Sequence, residues 1–214
     1  MTPARASKQV RLTREERRAN LLAATEKLIA KEGLKATTME RVAAMAKISK
    51  PVLYSHFDHR ADLLRSLLEE YYSKIDDDVA SRLHEDQPRS VEGYIYAVVE
   101  GVFDAMEAGG VAMQILWSEN SQEPLVEEAR RQRSRTTEAS WSEMYQRRYG
   151  LSPATADVAA ALVRATVAEV TAYWLRTPDV TREECALICT RFAQAGLRAL
   201  SVDQKRGRAA AAAE

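Results

Sequence analysis

Apolar residues recur every three or four positions along most of the chain, which is the spacing of amphipathic α-helices. One such stripe consists of Leu21, Leu22, Thr25, Leu28 and Ile29. A capping box at 13–16 precedes this stripe and Gly33 follows it, so both ends of a helix are marked. Alternating β-strand patterns are scarce, and we therefore predict an all-α fold.

Two shorter helices and one longer helix are predicted next. Thr37-Thr38-Met39-Glu40 is a second capping box, opening a helix that buries Met39, Val42, Ala43 and Ala46. Ser49 caps a third helix, with Pro51 in its first turn, where a missing N–H costs little. A fourth helix begins between Asp58 and Asp62 and continues to Tyr71.

Longer helices fill the rest of the chain. Breaks are expected at Gln87-Pro88, Gly109-Gly110, Glu123-Pro124, Gly150–Pro153 and Thr177-Pro178. The last two helices should span roughly 154–176 and 181–201. We expect no membrane span and no secretory signal, and hence a cytoplasmic protein without a membrane partner. Cys185 and Cys189 cannot form a disulfide framework and are interpreted as packing residues rather than zinc ligands.

The charge distribution is uneven although the 214-residue chain has 31 Lys and Arg against 31 Asp and Glu. Residues 1–65 contain 14 basic and 7 acidic residues, a net charge of +7, so the remainder carries −7. This asymmetry indicates a polyanion-binding module on an acidic body, without separating DNA from RNA or a membrane surface.

Residues 38–57 have the spacing of a helix-turn-helix, with the turn at Lys47-Ile48-Ser49. On a helical wheel Leu53 and Phe57 point to one side, and Pro51, Val52 and Ser55 point to the other. Tyr54 and His56 lie on the flanks. A shallow surface bordered by hydrogen-bond donors is suited to the DNA major groove.

This segment, from Thr37 to Ala43 and from Ile48 to Phe57, resembles the TetR family of bacterial transcriptional regulators. The resemblance covers about residues 12–68, and its Leu-Tyr-x-His-Phe ending after Ser-Lys-Pro is highly specific. The remaining two-thirds matches the family's effector-binding and dimerisation domain in length and layout. The family usually has glycine where this chain has Lys47; a left-handed lysine there would cost about 1 kcal/mol.

The resemblance implies a domain plan: a basic flexible arm over 1–12, a helix-turn-helix domain over 13–58, a helical effector-binding and dimerisation domain over 59–202, and a disordered tail over 203–214. It makes Lys50, Pro51, Val52 and Ser55 candidates for base contacts. Candidates for phosphate contacts are Thr38, Tyr54, His56 and Arg60. The arm, with Arg5, Lys8 and Arg11, either follows a minor groove or is disordered.

Several residues admit a second interpretation. His56 could be a catalytic base or metal ligand, but no second ligand lies at suitable spacing. The arginines at 130, 131, 133 and 135 form either a solvated helix face or an anchor for an anionic effector. No catalytic or metal-binding constellation is present in the sequence, so we expect neither an enzyme nor a cofactor.

Aromatic residues and methionines concentrate between residues 94 and 174, where they form either core or the wall of a small-molecule pocket. The candidate pocket residues are Phe103, Met106, Met113, Trp117, Trp141, Tyr145, Glu169, Tyr173 and Trp174. Glu169 could instead pair with a cation. The segments 116–126 and 173–175 are similar to fatty-acid-responsive family members, which implies a small apolar, acyl-type effector.

The resulting hypothesis is a homodimeric repressor that binds a palindromic DNA operator and is released by its effector. The last two helices should form the dimer interface through Leu162, Val163, Thr166, Val170, Leu187, Ile188, Phe192, Gly196 and Leu200. The alternatives are a ligand-independent architectural DNA-binding protein and a helical adaptor that binds only proteins.

Overall fold

The computed structural model describes residues 12–85, 90–117, 123–177 and 179–211, and these residues form α-helices and no strand. The all-α prediction is therefore confirmed. The helices are α1 (Arg14–Glu32), α2 (Met39–Met45), α3 (Lys50–Tyr54), α4 (Arg60–Glu85), α5 (Val91–Trp117), α6 (Pro124–Tyr149), α7 (Pro153–Arg176) and α8 (Arg182–Ala211). The basic arm through Arg11 and the predicted break at Gln87-Pro88 lie outside the described residues.

Capping residues fix where the first helices begin. Thr13 and Glu16 form the predicted reciprocal capping box of α1, and Gly33 ends that helix with a φ of 81°. The box predicted for α2 needs correction, because Thr38 and not Thr37 is the N-cap. The buried Thr37 hydroxyl instead donates to the Gly33 carbonyl at 3.0 Å, which closes the turn between the two helices.

The turn between α2 and α3 places Lys47 in the left-handed region, with a φ of 54°. Glycine adopts this conformation without steric cost, whereas a lysine there is strained. Burial on both sides of the turn holds it closed: Val42 and Leu53 are both fully buried. The strain is therefore offset by the packing of the two short helices.

One hydrophobic core joins the amino-terminal head (α1–α3) to the body (α4–α8). The first half of α4 contributes Leu63, Leu64 and Leu67, and the Tyr71 hydroxyl donates to Glu26 of α1 at 3.0 Å. The helix α4 begins at Arg60, just after the predicted boundary at 58/59, and packs against both parts.

The body contains one bent helix. Gly110 has φ 52° and ψ −148° and kinks α5 at the predicted Gly109-Gly110 break, although the helix continues to Trp117. At the start of α8, Arg182 pairs with Glu100 and Asp104 of α5 at 2.8 and 2.5 Å. These ion pairs tie α8 to the middle of α5.

The helix α7 is unusually apolar. By length and composition it is the one helix among the described residues that could cross a membrane, with 28% of its most apolar stretch buried. Arg164 within this helix pairs with Glu138 of α6 at 2.5 Å, so α7 packs in the body as a helical layer. Its composition reflects one apolar face toward the core and a second apolar face toward solvent, with Leu162 63% exposed.

The carboxyl-terminal boundary also needs correction. The backbone of α8 continues to Ala211, whereas the sequence predicted a disordered tail from residue 203. Alanine has the highest helix propensity of all residues, so the alanine run extends a helix that tertiary packing has already established.

Both cysteines should be unreactive in the folded protein. Cys185 and Cys189 are 4% and 1% exposed, and burial raises the pKa of both thiols, that of Cys189 to about 11. Because the thiolate is the nucleophile, we expect alkylation by iodoacetamide at pH 8 to be at least about a hundredfold slower than in guanidinium chloride. Mass spectrometry of quenched samples measures this, and a thiol alkylated at the denatured rate would contradict the packing described for α8.

Candidate nucleic-acid interface

The outward face of α3 is short, shallow and anchored from behind. Leu53 is fully buried and Phe57 is 3% exposed, while Pro51, Val52 and Ser55 are exposed on the opposite side. This arrangement confirms the helical-wheel prediction. The Ser55 hydroxyl donates to the Val52 carbonyl at 2.7 Å, so its oxygen remains an acceptor toward solvent.

Lys50 lies at the start of α3, with its ammonium 3.1 Å from Glu40 of α2. Both side chains are more than half exposed. An exposed ion pair of this kind contributes little to stability. Lys50 can therefore exchange Glu40 for a base edge or a phosphate without loss to the fold.

Hydrogen-bond donors flank this face. Tyr54 is 45% exposed, and Thr38 is exposed at the first turn of α2. The Thr38 oxygen accepts from the Arg41 N–H at 3.4 Å, which leaves its hydroxyl hydrogen free to donate. His56 is partly buried at the carboxyl-terminal end of the motif. Together these groups surround the α3 face on two sides.

Arg60, a predicted phosphate contact, points elsewhere. Its Nε donates to the Thr37 carbonyl at 2.5 Å and its Nη2 to the Leu34 carbonyl at 2.6 Å. Its Nη1 is paired with Glu123, in front of α6. The assignment to phosphate is corrected for this structure, because the guanidinium lies between head and body and each of its three nitrogens contacts a protein oxygen.

The structure brings three arginines of α1 to the same edge, which the sequence reasoning missed. Arg14, Arg17 and Arg18 all lower the pKa of His56 through their charge, and Arg18 lies over the Phe57 ring at 4.6 Å. Among the described residues no carboxylate pairs with Arg14 or Arg17. Their spacing of three and four positions on one helix face was visible in the sequence, but only the fold places that face beside His56.

The protonation of His56 reports on this basic edge. Partial burial, and then the charges of Arg14, Arg17 and Arg18, hold the pKa of His56 below its ordinary value of 6.5. The neutral imidazole is therefore favoured more in the free protein than it is in an unperturbed histidine. A phosphate beside it would favour the charged form, so DNA binding should take up a proton and tighten as the pH falls.

Replacing Arg14 and Arg17 by glutamine should raise the pKa of His56 toward 6.5, because two positive charges are removed while the burial stays. The histidine ring protons in NMR spectra measure this, with His59 and the remaining histidine as internal references. An unchanged midpoint for His56 would show that the α1 arginines do not face the recognition motif.

The aromatic residues predicted to form an effector pocket make ring contacts with different partners. Phe103 stacks on Trp174 at 4.7 Å, whereas Trp117 meets Tyr72 at 5.8 Å and Tyr145 meets Tyr149 at 6.4 Å. Phe103, Met106, Met113, Trp141 and Tyr145 are all at most 4% exposed and belong to the core. The effector pocket that includes these side chains stays a prediction.

Two of the predicted pocket residues lie on the outside. Tyr173 is 49% exposed, and the Glu169 side chain is 75% exposed and pairs with Arg176 at 3.2 Å. Their assignment to a pocket is wrong, because α7 turns them away from the core. The cation-pairing alternative for Glu169 is confirmed.

The arginine cluster of α6 is compensated by carboxylates. Arg130 pairs with Glu127, Arg131 with Glu128 at 3.0 Å, and Arg133 with Asp76 of α4 at 2.5 Å. Arg135 also lies 3.8 Å from Glu128. The solvated helix face predicted as one alternative fits these contacts better than an anchor for an anionic effector does.

The predicted dimer residues divide between surface and core. Leu162, Ile188 and Phe192 are 63%, 64% and 71% exposed, which is unusual for large apolar side chains. Val163 is 6% exposed and belongs to the core, so its assignment to the interface is corrected.

Val158, at 61% exposure, lies on the exposed face and was missed. It lines an open groove of about 360 Å³ with Leu162 and Leu200.

Comparisons with known proteins agree with this geometry. Residues 21–67 match the model of the family described as bacterial regulatory proteins, tetR family. The chain is 28% identical over 134 residues to the HTH-type transcriptional regulator BetI 2 of Chromohalobacter salexigens, covering 61% of this chain and 65% of that protein. It is 33% identical over 97 residues to the HTH-type transcriptional activator FasR of Mycolicibacterium smegmatis, covering 45% and 43%.

The matched part of the chain thus spans less than two thirds of these curated relatives. The fold is similar to the solved fatty acid degradation regulator FadR from Bacillus halodurans, with a TM-score of 0.67 and 16% identity over 85% of this chain and 96% of that chain. Residues 21–67 thus match the model of the tetR family of bacterial regulatory proteins, and the described helices have the fold of solved proteins such as this FadR.

Proposed function

We propose that the protein is a cytoplasmic, homodimeric repressor that binds a palindromic DNA operator and is released by a small apolar effector. The observation that carries this proposal is the exposed face of α3, anchored by the buried Leu53 and bordered by Tyr54 and the α1 arginines. In this assignment Lys50, Pro51, Val52 and Ser55 contact bases, and Thr38, Tyr54 and His56 contact phosphates.

The proposal of a dimer follows from the small exposed area of α3. A single α3 has only five residues and offers little contact area, whereas two copies related by a two-fold axis can read two half-sites. The exposed apolar face with Leu162, Ile188 and Phe192 is the proposed interface, because such a face is costly in water and pairs with itself in an isologous dimer.

The proposed effector is apolar and acyl-like. The interior of the body is rich in aromatic residues and methionines, and the structurally similar FadR is by its title a regulator of fatty acid degradation. We propose that the effector binds among these buried side chains in a state in which they lie further apart than in the DNA-binding state. Operator affinity then falls by the ratio of the effector's affinities for the two states.

A ligand-independent architectural DNA-binding protein is the alternative. It would need no change of state in the body, and no small molecule would alter its affinity for DNA. The buried Tyr145 favours the ligand-responsive proposal, because its hydroxyl has no hydrogen-bond partner among the described residues. A bound molecule could provide one.

Operator selection from a random DNA library tests the assignment of α3. Tyr54→Phe should weaken binding to selected and unrelated DNA alike, roughly tenfold for each α3, because it removes one hydrogen bond to a charged group. Lys50→Ala should instead change which bases are preferred. Fluorescence anisotropy over a salt series, and repeated selection with each variant, measure the two effects.

Two results would contradict these roles. A changed base preference in Tyr54→Phe would remove Tyr54 from the phosphate contacts, and an unchanged ranking of sequences in Lys50→Ala would remove Lys50 from the base contacts. Failure of the wild-type protein to enrich any sequence would overturn the proposed function itself.

Phe192→Glu should convert dimers into monomers, because the charge would be buried against the partner's apolar face. Sedimentation velocity measures the change in mass. Val111→Glu on α5 is the matched control, since Val111 is also apolar and 51% exposed but lies on another helix. Persistent dimers in Phe192→Glu would place the interface elsewhere.

A further inference from the structure

One guanidinium joins three elements where the head meets the body. Arg60 is the first residue of α4, and it donates to the carbonyls of Leu34 and Thr37 in the turn after α1. Its third contact is the carboxylate of Glu123. The Arg60 and Glu123 side chains are only 25% and 27% exposed, so water screens this ion pair less than the pairs on the outer surface.

The carbonyls bound by Arg60 lie directly before the DNA-binding helices. Thr37 precedes Thr38, which is the N-cap of α2. The Thr37 side chain is fully buried and donates back to Gly33, so the turn moves as one piece. Any displacement of this turn must carry α2 with it, and α3 follows because Val42 and Leu53 share one core.

Glu123 is equally well connected on the side of the body. It is the N-cap of α6, yet its side chain makes no capping hydrogen bond. Two turns later, Arg130 donates to the carbonyl of Trp117 at the end of α5, at 3.2 Å, and pairs with Glu127. The start of α6 is therefore fixed both to the end of α5 and, through Glu123, to the head.

We infer that Arg60 and Glu123 are positioning residues of the DNA-binding surface, which set the angle of the head on the body and hence the separation of the two α3 helices in a dimer. This inference rests on the proposed function. The head packs on the body through contacts of α1 with α4 and α5, and the contact of Arg60 with Glu123 at the start of α6 adds a further restraint on its angle.

The expected signature is a loss of discrimination between half-site spacings. Changing the spacing by two base pairs moves one half-site by about 7 Å and rotates it by about 70° around the DNA. A dimer with fixed heads should lose at least about tenfold in affinity for such a site, if the mismatch costs as much as one wrong base pair. Glu123→Gln removes the charge but keeps the shape, and it should bind the whole series within about threefold.

The experiment uses the full chain and an operator selected with the wild-type protein. Fluorescence anisotropy measures the affinity for operators with half-sites moved by one or two base pairs in either direction. Glu138→Gln is the matched control, because it breaks an ion pair of similar exposure within the body, between Glu138 and Arg164. This control should keep the wild-type preference. Arg60→Lys tests the same contact independently, since lysine keeps the charge but cannot reach all three acceptors.

The possible results separate the positioning role from the proposed function. A flattened spacing profile in Glu123→Gln and Arg60→Lys, with the wild-type profile in Glu138→Gln, supports the inference. A sharp profile in both variants, or an equal loss of affinity at every spacing, overturns it and leaves the pair a merely structural role. If the wild-type protein selects no operator, the proposed function fails and not the positioning role alone.

Discussion

Burial of Leu53 and Phe57 is the constraint on which the exposed face of α3 depends. The helix α3 has five residues, far fewer than an isolated helix needs to form in water. Its existence and its rotation are therefore set by the two side chains that enter the core. The same core closes the turn at Lys47 against its strained backbone. Exposure of Pro51, Val52 and Ser55 follows from that anchoring, since opposite faces of one short helix cannot both be buried here.

Arginines divide into two roles according to their carboxylate partners. Arg14 and Arg17 have none among the described residues and give the edge beside His56 its positive potential. Such unpaired charge is available for phosphates. Arg60, by contrast, donates to two carbonyls and pairs with Glu123, and the arginines of α6 are paired with carboxylates. The net charge of a segment thus overstates what it offers to DNA, because only the arginines without internal partners are free to bind it.

The body presents apolar residues on two sides of α7 and α8. Inner residues such as Val163 and Cys189 complete the core, while Phe192 and Ile188 remain in water. An apolar outer face and an apolar interior explain why one composition gave two separate predictions, a pocket and an interface. The ion pairs of Arg182 hold α8 on α5, so the outer face is a rigid surface and not a loose helix.

The sequence by itself determined the helices, the helix-turn-helix and the anchored face of α3, because caps, periodicity and a local motif are encoded within a few neighbouring residues. It did not determine that Arg60 contacts the turn after α1, or that the α1 arginines lie beside His56. Nor did it determine that Tyr173 is exposed and that Val163 is buried in the core. Each of these depends on which helix lies opposite, and helical periodicity gives only a side of the helix, not its neighbour. Tertiary packing alone decided those contacts.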